Sequence, residues 1–155
     1  MKNSIALILI LLSTITFSQN CKYKTNDVDK FTGKLTKLTK PEELFETNQI
    51  VGFISIQKID NEYSLIFVCD GSFNVRRTIK SGSKMLLLLE NSKIITLEEN
   101  NGSFPIKESD LMELMKSKVQ SQRFTLDSKD GDLQKDVEIK KGDAIRFMNL
   151  IKCVL

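Results

Sequence analysis

The spacing of apolar positions changes along the chain. Residues 1–18 (MKNSIALILILLSTITFS) set one cation, Lys2, before an unbroken apolar run over 5–12, followed by small and hydroxylated residues. That run is far shorter than the roughly 20 residues a membrane-spanning helix needs. A charged start, a short greasy centre and a small-residue end are the parts of a secretory signal peptide. Thr16 and Ser18 occupy the small-residue positions of a cleavage site, which predicts a mature domain over 19–155 starting at Gln19.

Beyond the leader the dominant spacing is two. Residues 30–39 (KFTGKLTKLT) alternate weakly and read as an exposed strand, and Pro41 before EELF reads as the start of a helical turn. Residues 49–59 (QIVGFISIQKI) and 63–69 (YSLIFVC) are rich in β-branched and aromatic side chains, so they predict strands joined by a turn at Asp60-Asn61-Glu62. Gly52 inside the first marks a bulge or a close backbone approach. Residues 73–79 (FNVRRTI) predict another strand. Residues 85–90 (MLLLLE) and 93–98 (KIITLE) predict a hairpin about Asn91-Ser92, with the leucine run read as a strand buried on both faces. Residues 119–126 and 133–140 predict a last hairpin across an acidic turn.

Helical spacing occurs twice. Leu111, Leu114 and Met115 share one face of a short helix near 109–117, with Ser109 or Asp110 as its cap. Ala144, Phe147, Met148 and Ile151 form a stripe in a C-terminal helix near 143–152, with Asp143 as its cap. The pattern therefore predicts a mainly β fold. It is a single antiparallel β-sandwich or partly open barrel of about 7–8 short strands with two short helices. The alternative is an α+β layer with both helices on one sheet face.

Composition narrows the chemistry. Apolar residues make up 41% and charged residues 28% of the chain, proportions that suit a globular domain rather than a disordered one. The formal net charge is +3, which argues against an electrostatic role with nucleic acid. The chain has no His, which removes the commonest general base and metal ligand, and no Trp. With three Cys and no His, a four-ligand nitrogen–sulfur metal site is not expected, and neither is a cofactor.

Local motifs reduce to turns. Ser81-Gly82-Ser83-Lys84 matches the S-x-x-K of penicillin-recognising enzymes, but a leucine-rich strand follows where a helix is required. An EF-hand loop centred on Gly131 would run from Leu126 to Val137, so its first and twelfth ligands fail. Carboxylates for glycoside hydrolysis exist (Glu42, Glu43, Glu46, Glu98, Glu99, Glu108, Asp110), all at turns or strand ends where solvated charge is expected. In a regular strand over 73–80, Arg76, Thr78 and Lys80 would share a face. That cationic strip is either a charged edge that discourages aggregation or a docking strip for an anionic partner.

The segments CKYKTNDVDKFTGK, GSKMLLLLENSKIITL, IKESDLMELMKSKV and the terminal LIKCVL resemble a group of small uncharacterised exported proteins of Bacteroidota. The resemblance implies export and this architecture, and carries no activity with it.

Export places the cysteines in an oxidising compartment. Cys69 lies in an apolar strand and reads as a buried thiol. Cys21 and Cys153 stand near the two ends of the mature chain, and domain termini are often close in space, so they are the expected disulfide. Cys21 with Cys69, or three reduced thiols, remain the alternatives at this point. Cys21 lacks the flanking residues of a lipoprotein site, so neither a lipid anchor nor a membrane span is expected.

The functional expectation is a non-catalytic exported domain, periplasmic or secreted, that binds a protein or cell-envelope component. The alternatives are a small carboxylate-dependent hydrolase and an inhibitor of a foreign enzyme.

Overall fold

The computed structural model of the protein describes residues 21–71, 75–77, 79–127 and 131–155. The expected signal peptide over 1–18, the expected N-terminus at Gln19 and residue Thr78 lie outside the described residues.

The domain is built on two long antiparallel strands, β4 (Ile50–Ile59) and β5 (Glu62–Gly71), paired along their full length from Ile50↔Gly71 to Ile59↔Glu62. Each carries two short strands laid end to end along its other edge. β2 (Leu35–Thr39) and β3 (Glu42–Glu46) both pair with β4, while β6 (Val75–Arg77) and β9 (Phe104–Ile106) both pair with β5. β1 (Tyr23–Val28) completes the seven-stranded sheet by pairing with β2. A second, four-stranded sheet has the order β11-β10-β7-β8, formed by β7 (Lys84–Leu89), β8 (Ile94–Glu98), β10 (Val119–Leu126) and β11 (Leu133–Glu138). The helices are α1 (Glu108–Lys116) and α2 (Lys141–Val154). The fold is thus mainly β and sandwich-like, with antiparallel sheets and no closed barrel.

One core joins the layers. Phe45 and Phe67 of the larger sheet meet Phe124 of the smaller, with ring centroids 5.0–6.0 Å apart. Such pairs each add about 0.5–1.5 kcal/mol beyond their burial. α2 lies against β2, β3 and β4 and touches α1 and β10, burying Ala144, Phe147, Leu150, Ile151 and Val154. The disulfide Cys21–Cys153, with Cα atoms 5.6 Å apart, ties the end of α2 to the chain just before β1. The Tyr23 hydroxyl donates to the Cys153 carbonyl at 2.6 Å, satisfying one of the carbonyls that a helix C-terminus leaves open.

Several expectations change. The described residues hold eleven strands rather than seven or eight, because the polar residues before position 30 form edge strand β1, and β9 follows the loop at 100–103. The segment after Pro41 is strand β3, not a helical turn. Its register with β4 shifts between Glu43 and Phe45, and this bulge lets the adjacent Leu44 and Phe45 both enter the core. The close approach expected at Gly52 is present, since Phe45 is paired opposite it and a Cβ there would overlap the Phe45 ring. Met85, Leu87 and Leu89 are buried, but Leu86 and Leu88 are only half-buried, since among the described residues no layer covers the outer face of the smaller sheet. The helices cap earlier than expected. Lys107 and Lys140 are the cap residues, while Asp110 and Asp143 sit in the first turns, where a negative charge suits the helix dipole.

Candidate functional site

Of the expected cationic strip, Arg76 and Lys80 fall among the described residues, and Thr78 does not. Arg77 pairs with Cys69 in the larger sheet, whereas Ile79 bridges to Leu126 in the smaller one. Arg76 is paired opposite Asp70 in the larger sheet, whereas Lys80 forms an ion pair with Asp132. The Asp132 carboxylate, as hydrogen-bond and charge partner, raises the Lys80 pKa above its ordinary value.

The motif residues are also structural where they are described. Gly82, with φ of +68°, turns the chain into β7, so no helix follows Ser81. Glu99 accepts the Gly102 N–H at 2.5 Å and the Gly82 N–H at 2.6 Å, which clasps two loops together and holds its carboxyl below the usual range. Glu98 faces Lys84 at 3.2 Å. Glu42, Glu43 and Glu46 lie on β3, and Glu108 and Asp110 in the first turn of α1.

Among the described residues, three surfaces bear on function. The outer face of the larger sheet holds a shallow depression of about 350 Å³, with Leu38, Phe53, Ile66 and Val68 at its base and Lys24 and Asp70 on its rim. The outer face of the smaller sheet holds one of about 320 Å³ over Leu86, Leu88 and Ile94, beside the two-pronged Arg123–Asp136 ion pair at 2.6 and 2.7 Å.

The third is the tip of the β1–β2 hairpin. β1 and β2 stay paired out to Val28↔Leu35, but β4 runs beside β2 only over 36–38. The turn at 29–34 therefore overhangs the end of the sheet. Its backbone is closed from within. The Asp29 N–H donates to the Lys34 carbonyl at 2.9 Å and the Gly33 N–H to the Asp29 carbonyl at 2.8 Å, with Gly33 at φ +71°. The Asp29 carboxylate accepts the Phe31 N–H at 2.9 Å, the Thr32 N–H at 2.6 Å and the Thr32 hydroxyl at 2.8 Å. The Thr32 N–H, then its hydroxyl and the Phe31 N–H, hold the Asp29 pKa below its ordinary value. Leu35 and Asp60 exchange bonds of 2.9 and 3.1 Å, tying the turn to the β4–β5 corner.

This bracing holds a large apolar side chain in water. Phe31 is 98% exposed at the tip and Val28 is 50% exposed behind it, with Lys30 and Lys34 exposed on either side. The sequence reading missed this site, since Phe31 looked like part of a strand. The one available signal was Asp29 followed by Thr32-Gly33, a turn-forming set around an aromatic residue.

No known protein family, curated protein or solved structure matches this chain.

Proposed function

We propose that the protein is an exported, non-catalytic binding module whose contact element is the β1–β2 hairpin tip. The observation that carries this reading is Phe31, almost fully solvated on a turn that its own hydrogen bonds hold in one shape. Lone surface apolar residues are ordinary. This one stands on an overhang with Val28 behind it and a cation on each side. A contact residue whose backbone is already held in place loses less entropy on binding, which favours affinity. Export is supported by the leader-like residues 1–18 and by the Cys21–Cys153 bridge. Among the described residues the acids whose contacts are resolved, Glu98 with Lys84 and Glu99 with the Gly82 and Gly102 N–H groups, are engaged in structural contacts, which lends the hydrolase alternative no comparable support.

The test is affinity capture from cell-envelope extract with the native protein and with Phe31→Ser. Loss of captured material at an unchanged melting temperature is the expected result. Equal capture by both proteins rejects the tip as the contact element.

A further inference from the structure

We infer that the free edge of β8 pairs antiparallel with the β8 of a second copy of this chain, joining the two smaller sheets across a two-fold axis.

β8 ends the smaller sheet, and among the described residues only β7 pairs with it. The Glu99 N–H donates to the Ser83 carbonyl and the Leu89 N–H to the Lys93 carbonyl, both at 2.9 Å. Antiparallel ladders bond at alternate residues. Ile94, Thr96 and Glu98 therefore turn their N–H and carbonyl groups away from β7, to the free edge. The other open edges among the described residues carry devices that discourage pairing. β1 has Lys24, Asp27 and a register shift after Tyr23, and β3 has Glu42, Glu43, Glu46 and a shift after Glu43. β11 carries Lys135 and Asp136, while β6 and β9 are three residues long, with Pro105 in β9. β8 has none of these between Ile94 and Leu97. Its register with β7 is regular, and Ile94, Ile95 and Thr96 are β-branched. Ile94 is 58% exposed and paired opposite half-buried Leu88, so a large apolar side chain stands in water at this edge.

The strand's own charge and symmetry select the occupant. Lys93 precedes it, Glu98 and Glu99 end it, and no charge lies between. Antiparallel self-pairing centred on Thr96 sets Lys93 of each copy opposite Glu99 of the other, whereas parallel pairing would set like charge beside like. Lys93 also meets Glu113 at 3.6 Å and Glu98 meets Lys84 at 3.2 Å. Such surface pairs contribute little, so they do not oppose the match. Glu99 keeps its charge while accepting the Gly82 and Gly102 N–H groups. The same centring closes every outward N–H and carbonyl of Ile94, Thr96 and Glu98. It places Thr96 opposite the second copy's Thr96, a favourable cross-strand pair, and continues the inner apolar row by setting Ile95 beside the second copy's Leu97. One strand pair is a small contact, so the association is weak and concentration-dependent.

Sedimentation velocity of the native protein over a concentration series should show a monomer–dimer equilibrium. Thr96→Lys sets two cations face to face across the axis and should raise the dissociation constant about fivefold or more, the scale of one mismatched cross-strand pair. Its melting temperature at low concentration should be unchanged, because Thr96 is exposed. Thr96→Cys tests the register. Directly opposed, hydrogen-bonded residues have Cα atoms about 5.5 Å apart, within reach of a disulfide, so mild oxidation should crosslink the dimer. The native cysteines are bridged or buried and do not compete. Thr25→Cys, exposed on edge strand β1, is the control and should stay monomeric. A native protein that is monomeric at its highest soluble concentration overturns the proposal. So does a dimer that Thr96→Lys leaves intact, or crosslinking of Thr25→Cys as readily as of Thr96→Cys.

Discussion

Two residues set local geometry that their neighbours depend on. Asp29 shapes the tip through its carboxylate, whose pKa the Thr32 N–H lowers most. A carboxyl with a lowered folded pKa adds order that is fully present above its unfolded value, about 3.9, and that is lost as the pH falls through the lowered folded value. The amide protons of Phe31 and Thr32 should therefore lose protection against exchange below about pH 4, while those of β4 and β5 keep theirs. Asp29→Ala should produce the same local loss at neutral pH; intact protection in that variant would show that the backbone bonds alone hold the turn. Gly52 acts by lacking a side chain. An added Cβ would overlap the Phe45 ring, and that ring is stacked on Phe124 at 5.7 Å and tilted against Phe67 at 6.0 Å, so it has little room to move. Gly52→Ala should cost about 1–3 kcal/mol by denaturant unfolding, the range for overpacking a core. Adding Phe45→Leu should recover part of that loss, and a fully stable Gly52→Ala would mean the ring turns aside freely.

At the scale of elements, strands with strong alternation were legible and those without it were not. Residues 50–59 and 62–71 carry buried side chains at every second position along much of their length, and this pattern predicted both strands and their pairing. β1 shows no such pattern, because it is an edge strand exposed from Lys24 to Val28, and only hydrogen bonding to β2 makes it a strand. β3 carried a local helix-start signal in Pro41, but β4 offered an open edge for its backbone and a core for Leu44 and Phe45. The leucines of β7 show the same limit from the other side. An apolar run says that a strand is greasy, not that a layer exists to cover both of its faces.

At the scale of the molecule, the disulfide is the long-range tie. It joins residues 132 apart in sequence, so it restrains nearly the whole described chain in the unfolded state. The loop-entropy argument gives at most about 5 kcal/mol for such a ring, and measured bridges more often contribute about 2–4 kcal/mol. The double change Cys21→Ser and Cys153→Ser should lower unfolding free energy by that smaller amount, with α2 losing exchange protection before β4 and β5. Alkylation of either cysteine in the unreduced protein would show that the bridge does not form. Tyr23, whose hydroxyl reaches the Cys153 carbonyl, should hold part of the α2 end in place without it.

By itself the sequence indicated the class of the fold, the two long central strands and both helices, and it made Cys21 with Cys153 the expected bridge while leaving Cys21 with Cys69 open; the structure makes the choice. These follow from periodicity, turn chemistry and the compartment rule for cysteines, all of which are local or compositional. The tertiary structure decided which faces are covered, that Arg77 and Ile79 find partners in different sheets, and how far the β1–β2 hairpin reaches past β4. Those outcomes depend on where other segments end. Phe31 is the clearest case: its neighbours in sequence resemble a strand, and it stands in water because β4 stops short of it and the Asp29 carboxylate closes the turn beneath it.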